Sequence, residues 1–376
     1  MSELRDLYAQ QDAIDQRILD LIHERMVNSE EIAKVKIRQG GKLIDLGADK
    51  AALERLTGDI PNVLEKLGGV ETLSLLQSLA QKRQYQMLEE KSGSGRLPFI
   101  AVDELPMDNI RVVFQGVEGA YSHAAMCQYF GDDVNCFHVD KWREAMEAIA
   151  YGEADYAVLP IENSSAGIVA DNYDLLVDFE NYIVAEQVIK CEHVLMGLPE
   201  ASLDDIEKVY SHQQALSQCE QFLDTHERWE RIPFSNTATA AKMVASEGNK
   251  SYAAIGSAFA AKRFGLKILA DHIYYNEANS TRFIIVTNQR IFRRYAGKIS
   301  ICFELPHTSG ALYRIISHFI YNGLNMNRIE SRPITGRNWE YHFFVDFEGN
   351  LSDSSVKSAL RGIRSQARNM KILGNY

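Results

Sequence analysis

Nowhere in the 376-residue chain does an apolar run approach the ~20 residues a membrane-spanning helix needs, so no membrane role is expected. Cysteine is scarce and poorly placed for pairing. Cys127, Cys136, Cys191, Cys219 and Cys302 are odd in number and widely spaced, without a Cys-x-x-Cys pair. That argues against a disulfide framework and for reduced, mostly buried thiols. The histidines are also scattered, with neither His-Glu-x-x-His nor a Cys/His group at ligand spacing, so no metal is expected. Positive charge is in deficit: 40 basic against 51 acidic residues give a net charge of -11, which disfavours nucleic acid as a partner. An anionic ligand would need cations gathered locally. Residues 1–11 lack the basic, apolar and small-residue regions of a signal peptide, and a cytoplasmic location is the expectation.

What is present is an ordinary globular balance, 46% apolar and 24% charged, in a chain too long for one core. Two or three domains are expected. In residues 1–90, Leu7, Ile14 and Leu21 recur every seven, and Leu4, Ile18 and Ile22 fill the same stripe, which predicts a helix reaching Ile37 and stopped by Gly40-Gly41. Such a helix is on the order of 50 Å long, more than a domain this small can cover, so it should pack along a second copy in a homodimer or higher homo-oligomer. Shorter helices over 49–56 and 70–90, with a turn at Pro61 between them, complete an all-α unit. Arg25 and Lys36 project from one face of the long helix, either as ligands for an anion or as a solvated pair whose stems cover apolar surface. Residues 91–109, small and polar with Pro98 and Pro106, read as a linker.

Residues 110–288 alternate strand and helix: strands at 110–114, 136–139 and 156–161, helices at 122–130 and 142–150. Two strands without an intervening helix follow, 183–189 and 193–198. A strand at 209–210, a helix near 216–223 and a strand at 231–234 then resume the alternation. Twin strands between two α/β halves predict a two-lobed cleft. Polar strings fall at the carboxyl ends of the strands, where α/β sheets bind ligands. Gln115-Gly116-Val117-Glu118-Gly119-Ala120-Tyr121-Ser122-His123 delivers Ser122 and His123 to a helix start that favours an anion. Glu162-Asn163-Ser164-Ser165, Tyr210-Ser211-His212 with Gln218 on the next helix, and Ser235-Asn236-Thr237-Ala238-Thr239 end other strands. Each string alone also serves as a helix cap or turn. Asn279-Ser280-Thr281-Arg282-Phe283 opens a buried Ile-Ile-Val strand, with the Arg282 side chain alternating away from that of Thr281. Residues 298–376 spell βαββαβ, a ferredoxin-like α+β unit in which Gly310 exposes backbone N–H groups at a helix start.

Pro160-Ile161-Glu162-Asn163-Ser164-Ser165, Tyr210-Ser211-His212 and Thr281-Arg282-Phe283 together make residues 110–288 resemble prephenate dehydratase. The resemblance implies a bilobed fold like the second type of periplasmic binding protein. It also implies a reaction in which prephenate loses its ring hydroxyl and CO2 to give phenylpyruvate in phenylalanine biosynthesis, without a cofactor. It makes Thr281, Asn163, Ser211 and Gln218 the catalytic candidates, with Ser122, His123, Glu162, Ser164, Ser165, His212, Thr239 and Arg282 around the substrate.

Residues 1–90 resemble the helical chorismate mutase domain through the string from Leu7 to Asp15, Glu24-Arg25 and Lys34-Val35-Lys36, which implies a pocket of Arg25, Lys36, Asp45 and Asp49. Tyr8 and Ala48 stand where that family has arginines, so weak or absent mutase activity is expected. Arg5 and Lys50 are the nearest substitutes. Residues 298–376 look like an ACT domain through Ser309-Gly310-Ala311-Leu312 and Glu330-Ser331-Arg332-Pro333, which implies phenylalanine as a feedback effector at those residues. A fully bifunctional mutase/dehydratase, a non-catalytic small-molecule sensor, and arogenate as substrate are the alternatives.

Overall fold

The computed structural model describes residues 2–39, 46–92 and 98–376. They form two compact units, residues 1–98 with 297–371 and residues 99–296 with 372–376. The three segments read from sequence therefore fold as two bodies.

The first unit opens with three helices, α1 (Ser2–Gln39), α2 (Leu46–Thr57) and α3 (Val63–Ser92). The third begins earlier than the predicted 70 because Asn62, just after Pro61, caps it: its Oδ1 accepts from the N–H groups of Leu64 at 2.9 Å and Glu65 at 3.2 Å. Residues 3–21 of α1 are exposed, whereas Arg25, Ser29 and Ala33, spaced four apart, turn toward α3. Gly40-Gly41 and Asp45 lie outside the described residues, as does the side chain of Lys50.

The second unit runs β1 (Ile100–Val102), β2 (Arg111–Gln115), α4 (Tyr121–Phe130), β3 (Asn135–Val139), α5 (Trp142–Ala150), β4 (Tyr156–Asn163), β5 (Gly167–Ile168), α6 (Ala170–Asp178) and β6 (Tyr182–Lys190). It continues with β7 (His193–Gly197), β8 (Lys208–Ser211), α7 (Gln213–Gln218), α8 (Glu220–Asp224), β9 (Glu230–Pro233), α9 (Thr237–Glu247), β10 (Tyr252–Ser257), α10 (Ala258–Phe264), β11 (Lys267–Ala270), β12 (Ser280–Thr287) and β13 (Ile291–Arg293). Its strands make one sheet in the order β6-β12-β4-β2-β3 and another in the order β11-β7-β10-β8-β9. These are the two expected lobes.

Alternation along the strands divides the second lobe's core: Val194, Met196 and Ala254 face one apolar layer, Leu195, Ala253 and Ile255 the other. Strand β10 carries Ala253-Ala254-Ile255-Gly256, too weak in strand propensity to stand out in the sequence, yet it lies between β7 and β8 at the sheet's centre. The predicted linker is also shorter than expected, since β1 pairs in parallel with β13 and so belongs to this unit. The chain passes between the lobes twice, at Cys191-Glu192 after β6 and at residues 271–279 before β12. Near the carboxyl terminus Gly374 pairs with Ile183, and a Cβ there would stand 2.1 Å from the Ile183 carbonyl oxygen, so glycine is obligatory.

The remainder of the first unit is β14 (Lys298–Glu304), α11 (Ala311–Tyr321), β15 (Met326–Pro333), β16 (Tyr341–Glu348), α12 (Ser354–Gln366) and β17 (Arg368–Asn375), in the sheet order β15-β16-β14-β17 of a ferredoxin-like fold. Helices α11 and α12 pack against α3. They also meet each other closely, for a Cβ on Gly362 would fall 2.5 Å from the His318 ring. Among the described residues no helix is long and apolar enough to cross a membrane.

Candidate active site

Strands β4 and β12 are antiparallel with Thr281 opposite Asn163, so the two side chains meet at the end of the first lobe's sheet. Asn163 is held from behind: the exposed turn after β4 donates the Ser165 and Ala166 N–H groups to its Oδ1 at 3.0 and 2.8 Å. Backbone donors leave the amide no choice of orientation. Its Nδ2 must face the other way, and it donates to Thr281 Oγ1 at 2.9 Å and Asn279 Oδ1 at 3.0 Å.

From Asn279 the direction of donation continues. Its Nδ2 donates to Gln218 Oε1 at 3.2 Å, the same oxygen that lies 2.8 Å from His193 Nε2. An amide oxygen only accepts, so His193 carries its hydrogen on Nε2 and presents a bare Nδ1, 3.0 Å from the Tyr121 hydroxyl. Thr281 Oγ1 also lies 3.2 Å from Cys191 Sγ. Having accepted from Asn163, the threonine keeps its own proton to donate.

Both passages between the lobes contribute: Cys191 and His193 flank the first, Asn279 ends the second, and the Cys191 N–H donates to the Asn279 carbonyl at 2.9 Å. The cluster thus sits where the lobes hinge.

The cluster is largely enclosed. Asn279 and His193 are each 4% exposed and Gln218 7%, while Thr281 and Asn163 are half-buried at its edge. Burial holds the Tyr121 phenol well above its ordinary range, raises the Cys191 thiol and lowers the His193 imidazole. All three are therefore neutral near pH 7, and the cluster is built of oriented neutral dipoles rather than charge. Cavities of about 520, 500 and 720 Å3 open elsewhere on this unit, beside Trp142, Phe259 and Tyr129, and none of the three is lined by Thr281, Asn163 or Gln218.

The other sequence-read candidates are placed differently. Ser211, expected to be catalytic, is fully buried and donates its hydroxyl to the Ile255 carbonyl at 2.7 Å; it ties β8 to β10 and so fixes where α7 begins. Ser122 does not open its helix. It is the second residue of α4, and its hydroxyl donates to the Gln115 carbonyl at 2.5 Å. His123 accepts the Gly119 N–H and stacks 4.7 Å from Phe114. It is their neighbour Tyr121 that reaches the cluster.

Glu162 and Arg282 hold each other at 3.1 Å, and Arg282 also meets Glu186 at 3.3 Å, on the strand face that alternates away from Thr281. Ser164 accepts the Ser280 N–H at 3.0 Å and donates to the Ala278 carbonyl at 3.1 Å, while Ser165 accepts from Asn276 Nδ2 at 3.1 Å, so both pin the second passage to the β4 turn. His212 is an exposed cap of α7, accepting from Gln214 N, and Thr239 lies in the first turn of α9 with its N–H on Asn236 Oδ1. Tyr121, Cys191 and His193 were not legible as site residues. A lone tyrosine in a glycine-rich loop and a cysteine and histidine beside apolar strands carry no spacing signal.

In the first unit Arg25 donates Nη1 to the Leu76 carbonyl at 2.8 Å, Gln81 Nε2 donates to Asp49 Oδ2 at 3.0 Å, and Arg83 meets Glu30 at 2.7 Å. Tyr8 is exposed and so is Ala48. Gly310, at φ 72°, precedes α11, whose Arg314 donates Nη1 to the Ser309 carbonyl at 3.1 Å. Ala311 is buried and Leu312 exposed behind it. Glu330, Ser331, Arg332 and Pro333 lie on β15, paired with β16 on one side and at the sheet's edge on the other.

Comparison with known proteins identifies the family. The family model described as prephenate dehydratase matches residues 112–291, and that described as chorismate mutase type II matches residues 7–72. A bifunctional chorismate mutase/prephenate dehydratase of Stutzerimonas stutzeri is 32% identical over 100% of this chain and 97% of its own length. A chloroplastic arogenate dehydratase/prephenate dehydratase of Arabidopsis thaliana is 35% identical over 88% of each chain. A crystal structure of prephenate dehydratase in complex with L-Phe from Arthrobacter aurescens superposes with a TM-score of 0.65 at 32% identity, covering 71% of this chain and 89% of that one. The chain belongs to the prephenate dehydratase family, of the kind that carries a chorismate mutase type II segment ahead of the dehydratase segment.

Proposed function

We propose that this prephenate dehydratase does its chemistry at the Thr281 cluster, where prephenate becomes phenylpyruvate. The bond between the ring and its carboxylate breaks, the electron pair moves through the ring, and the hydroxyl on the opposite ring carbon leaves. With one proton the dianion gives phenylpyruvate, CO2 and water. Aromatisation supplies the drive, so the protein's task is to steady the charge appearing on the departing oxygen and to leave the ring carboxylate poorly solvated.

Thr281 has the first task. Its oxygen accepts from Asn163, which leaves its own proton for the departing hydroxyl when substrate is bound. A hydrogen bond that strengthens as charge develops accelerates the reaction without the threonine losing its proton. The Gln218 Nε2 hydrogens, which meet no acceptor among the described residues, suit the pyruvoyl carboxylate. A charge-neutral interior favours CO2 over a carboxylate. The observation that carries this reading is the single direction of donation running from the β4 turn through Asn163 to Thr281 and Asn279.

The helical segment serves assembly. Its Arg25 and Asp49 are engaged by the chain's own groups, and the exposed stripe of Leu4, Leu7, Ile14, Ile18 and Leu21 suits a second copy. The ferredoxin-like segment acts as an ACT domain in which the N–H groups after Gly310 and the outermost strand β15 take phenylalanine, the ligand of the Arthrobacter enzyme.

Purified protein given chorismate, prephenate and arogenate separately tests this division. Phenylpyruvate from prephenate with little consumption of chorismate is expected. Equal turnover of chorismate would establish a working mutase, and an inert response to all three substrates would end the dehydratase assignment at Thr281.

A further inference from the structure

The hydrogen bonds of Tyr121 and His193 run to each other and to Gln218 rather than to Thr281 or Asn163. We infer that this pair are positioning residues that fix which way round the Gln218 amide sits, making it a donor aimed at the 2-oxo acid side chain of the substrate. The inference rests on the reading of the Thr281 cluster as the active site.

An unconstrained glutamine amide can turn over, exchanging a donor for an acceptor at nearly the same position. Here two donors converge on Gln218 Oε1, His193 Nε2 at 2.8 Å and Asn279 Nδ2 at 3.2 Å. Asn279 cannot reverse, because its oxygen is taken by Asn163, itself fixed by the backbone of Ser165 and Ala166. His193 could reverse only by moving its hydrogen to Nδ1, which requires the Tyr121 hydroxyl to accept and to send its own hydrogen elsewhere. Tyr121 has no other acceptor among the described residues, so it donates to Nδ1 and holds the hydrogen on Nε2.

His193 is not an acid in the reaction. The Gln218 amide stands between imidazole and cluster edge and does not pass a proton. What results is a pair of N–H groups presented by Gln218. The carboxylate and keto oxygens of a 2-oxo acid accept from them, whereas the ammonium of the 2-amino analogue would set donor against donor. The Tyr121–His193 pair therefore biases the site toward prephenate over arogenate.

His193→Leu removes the donor, and His193→Gln keeps a donor near the Nε2 position. For prephenate, kcat/KM should fall about 10- to 100-fold in His193→Leu and stay within about fivefold in His193→Gln. The prephenate/arogenate ratio should narrow in the first and not in the second. In a Gln218→Ala background, His193→Leu should cost nothing further. Wild-type kinetics in His193→Leu, equal losses in the two variants, or additive losses with Gln218→Ala would each overturn the proposal. If His193→Leu fails to fold, Tyr121→Phe decides: a severalfold loss supports the pair and an unchanged kcat/KM refutes it. Loss of activity in Thr281→Val with none in His193→Leu would sink this inference alone, whereas a harmless Thr281→Val would sink the site itself.

Discussion

Thr281→Val is the sharpest perturbation of the dehydratase, because it exchanges a hydroxyl for a methyl of nearly equal size on a strand that favours β-branched residues. Stability should barely change. Asn163 Nδ2 loses Thr281 Oγ1 at 2.9 Å but keeps Asn279 Oδ1 at 3.0 Å and the Ser280 carbonyl at 3.3 Å, so no buried donor is stranded. The cost should be less than about 1 kcal/mol. Catalysis should suffer far more. A preorganised donor aimed at developing oxygen charge is worth about 3 to 4 kcal/mol, and its removal should lower kcat between about a hundredfold and a thousandfold. Thr281→Ser keeps the hydroxyl at the price of rotamer freedom and should retain activity to within about tenfold. The assay follows phenylpyruvate by the ultraviolet absorbance of its enolate in alkali, beside thermal melts of each variant. A Thr281→Val protein that melts like wild type and turns over within about threefold of it would refute the role given to the hydroxyl.

Phenylalanine titrated into the prephenate assay should inhibit, and Gly310→Val, which forces a side chain onto φ 72° and toward Arg314 at 3.3 Å, should raise the concentration needed by about tenfold or more. A flat titration of the wild-type protein would remove the effector role and leave the chemistry untouched. Burial pushes the His318 imidazole down to about 4. The unfolded chain takes that proton near pH 6.5, the native one only near 4, so this residue's contribution to stability is complete above pH 6.5. It should be lost by up to about 3 kcal/mol as pH falls through that window. Urea midpoints between pH 7 and 4 should drop less steeply in His318→Leu, and identical slopes would refute the assignment. Gly374→Ala places a Cβ against the Ile183 carbonyl and should cost at least about 2 kcal/mol by the same urea measurement, while a neutral result would mean that the terminal strand is dispensable.

The sequence was most readable where a short string carries both its element and its chemistry. Thr281 opens an Ile-Ile-Val strand, and Asn163 closes a strand that runs into a hydroxyl-rich turn, so each could be named without knowing that antiparallel register sets them opposite each other. Gln218 was also legible, through the Tyr210-Ser211-His212 string one helix before it. Legibility is lower where a residue type has two uses. Ser122, Ser211, His212 and Thr239 have the composition of anion ligands, and in the fold their polar atoms also go to carbonyls, caps and turns, which need the same hydroxyl and imidazole groups. Glu162 and Arg282, read from the sequence as lying around the substrate, form an ion pair with each other across adjacent strands.

Periodicity and turn chemistry, which act over a few residues, determined by themselves the long amino-terminal helix, the two α/β lobes and the ferredoxin-like end, whereas Thr281 and Asn163 were named from the family resemblance of the strings that carry them. The tertiary structure alone decided that Tyr121, Cys191, His193 and Asn279 belong together. They meet because both passages between the lobes run through one buried spot. There, unanswered polar atoms are costly, so each group's orientation is dictated by a neighbour that may lie more than a hundred residues away, as Asn163 and Asn279 do.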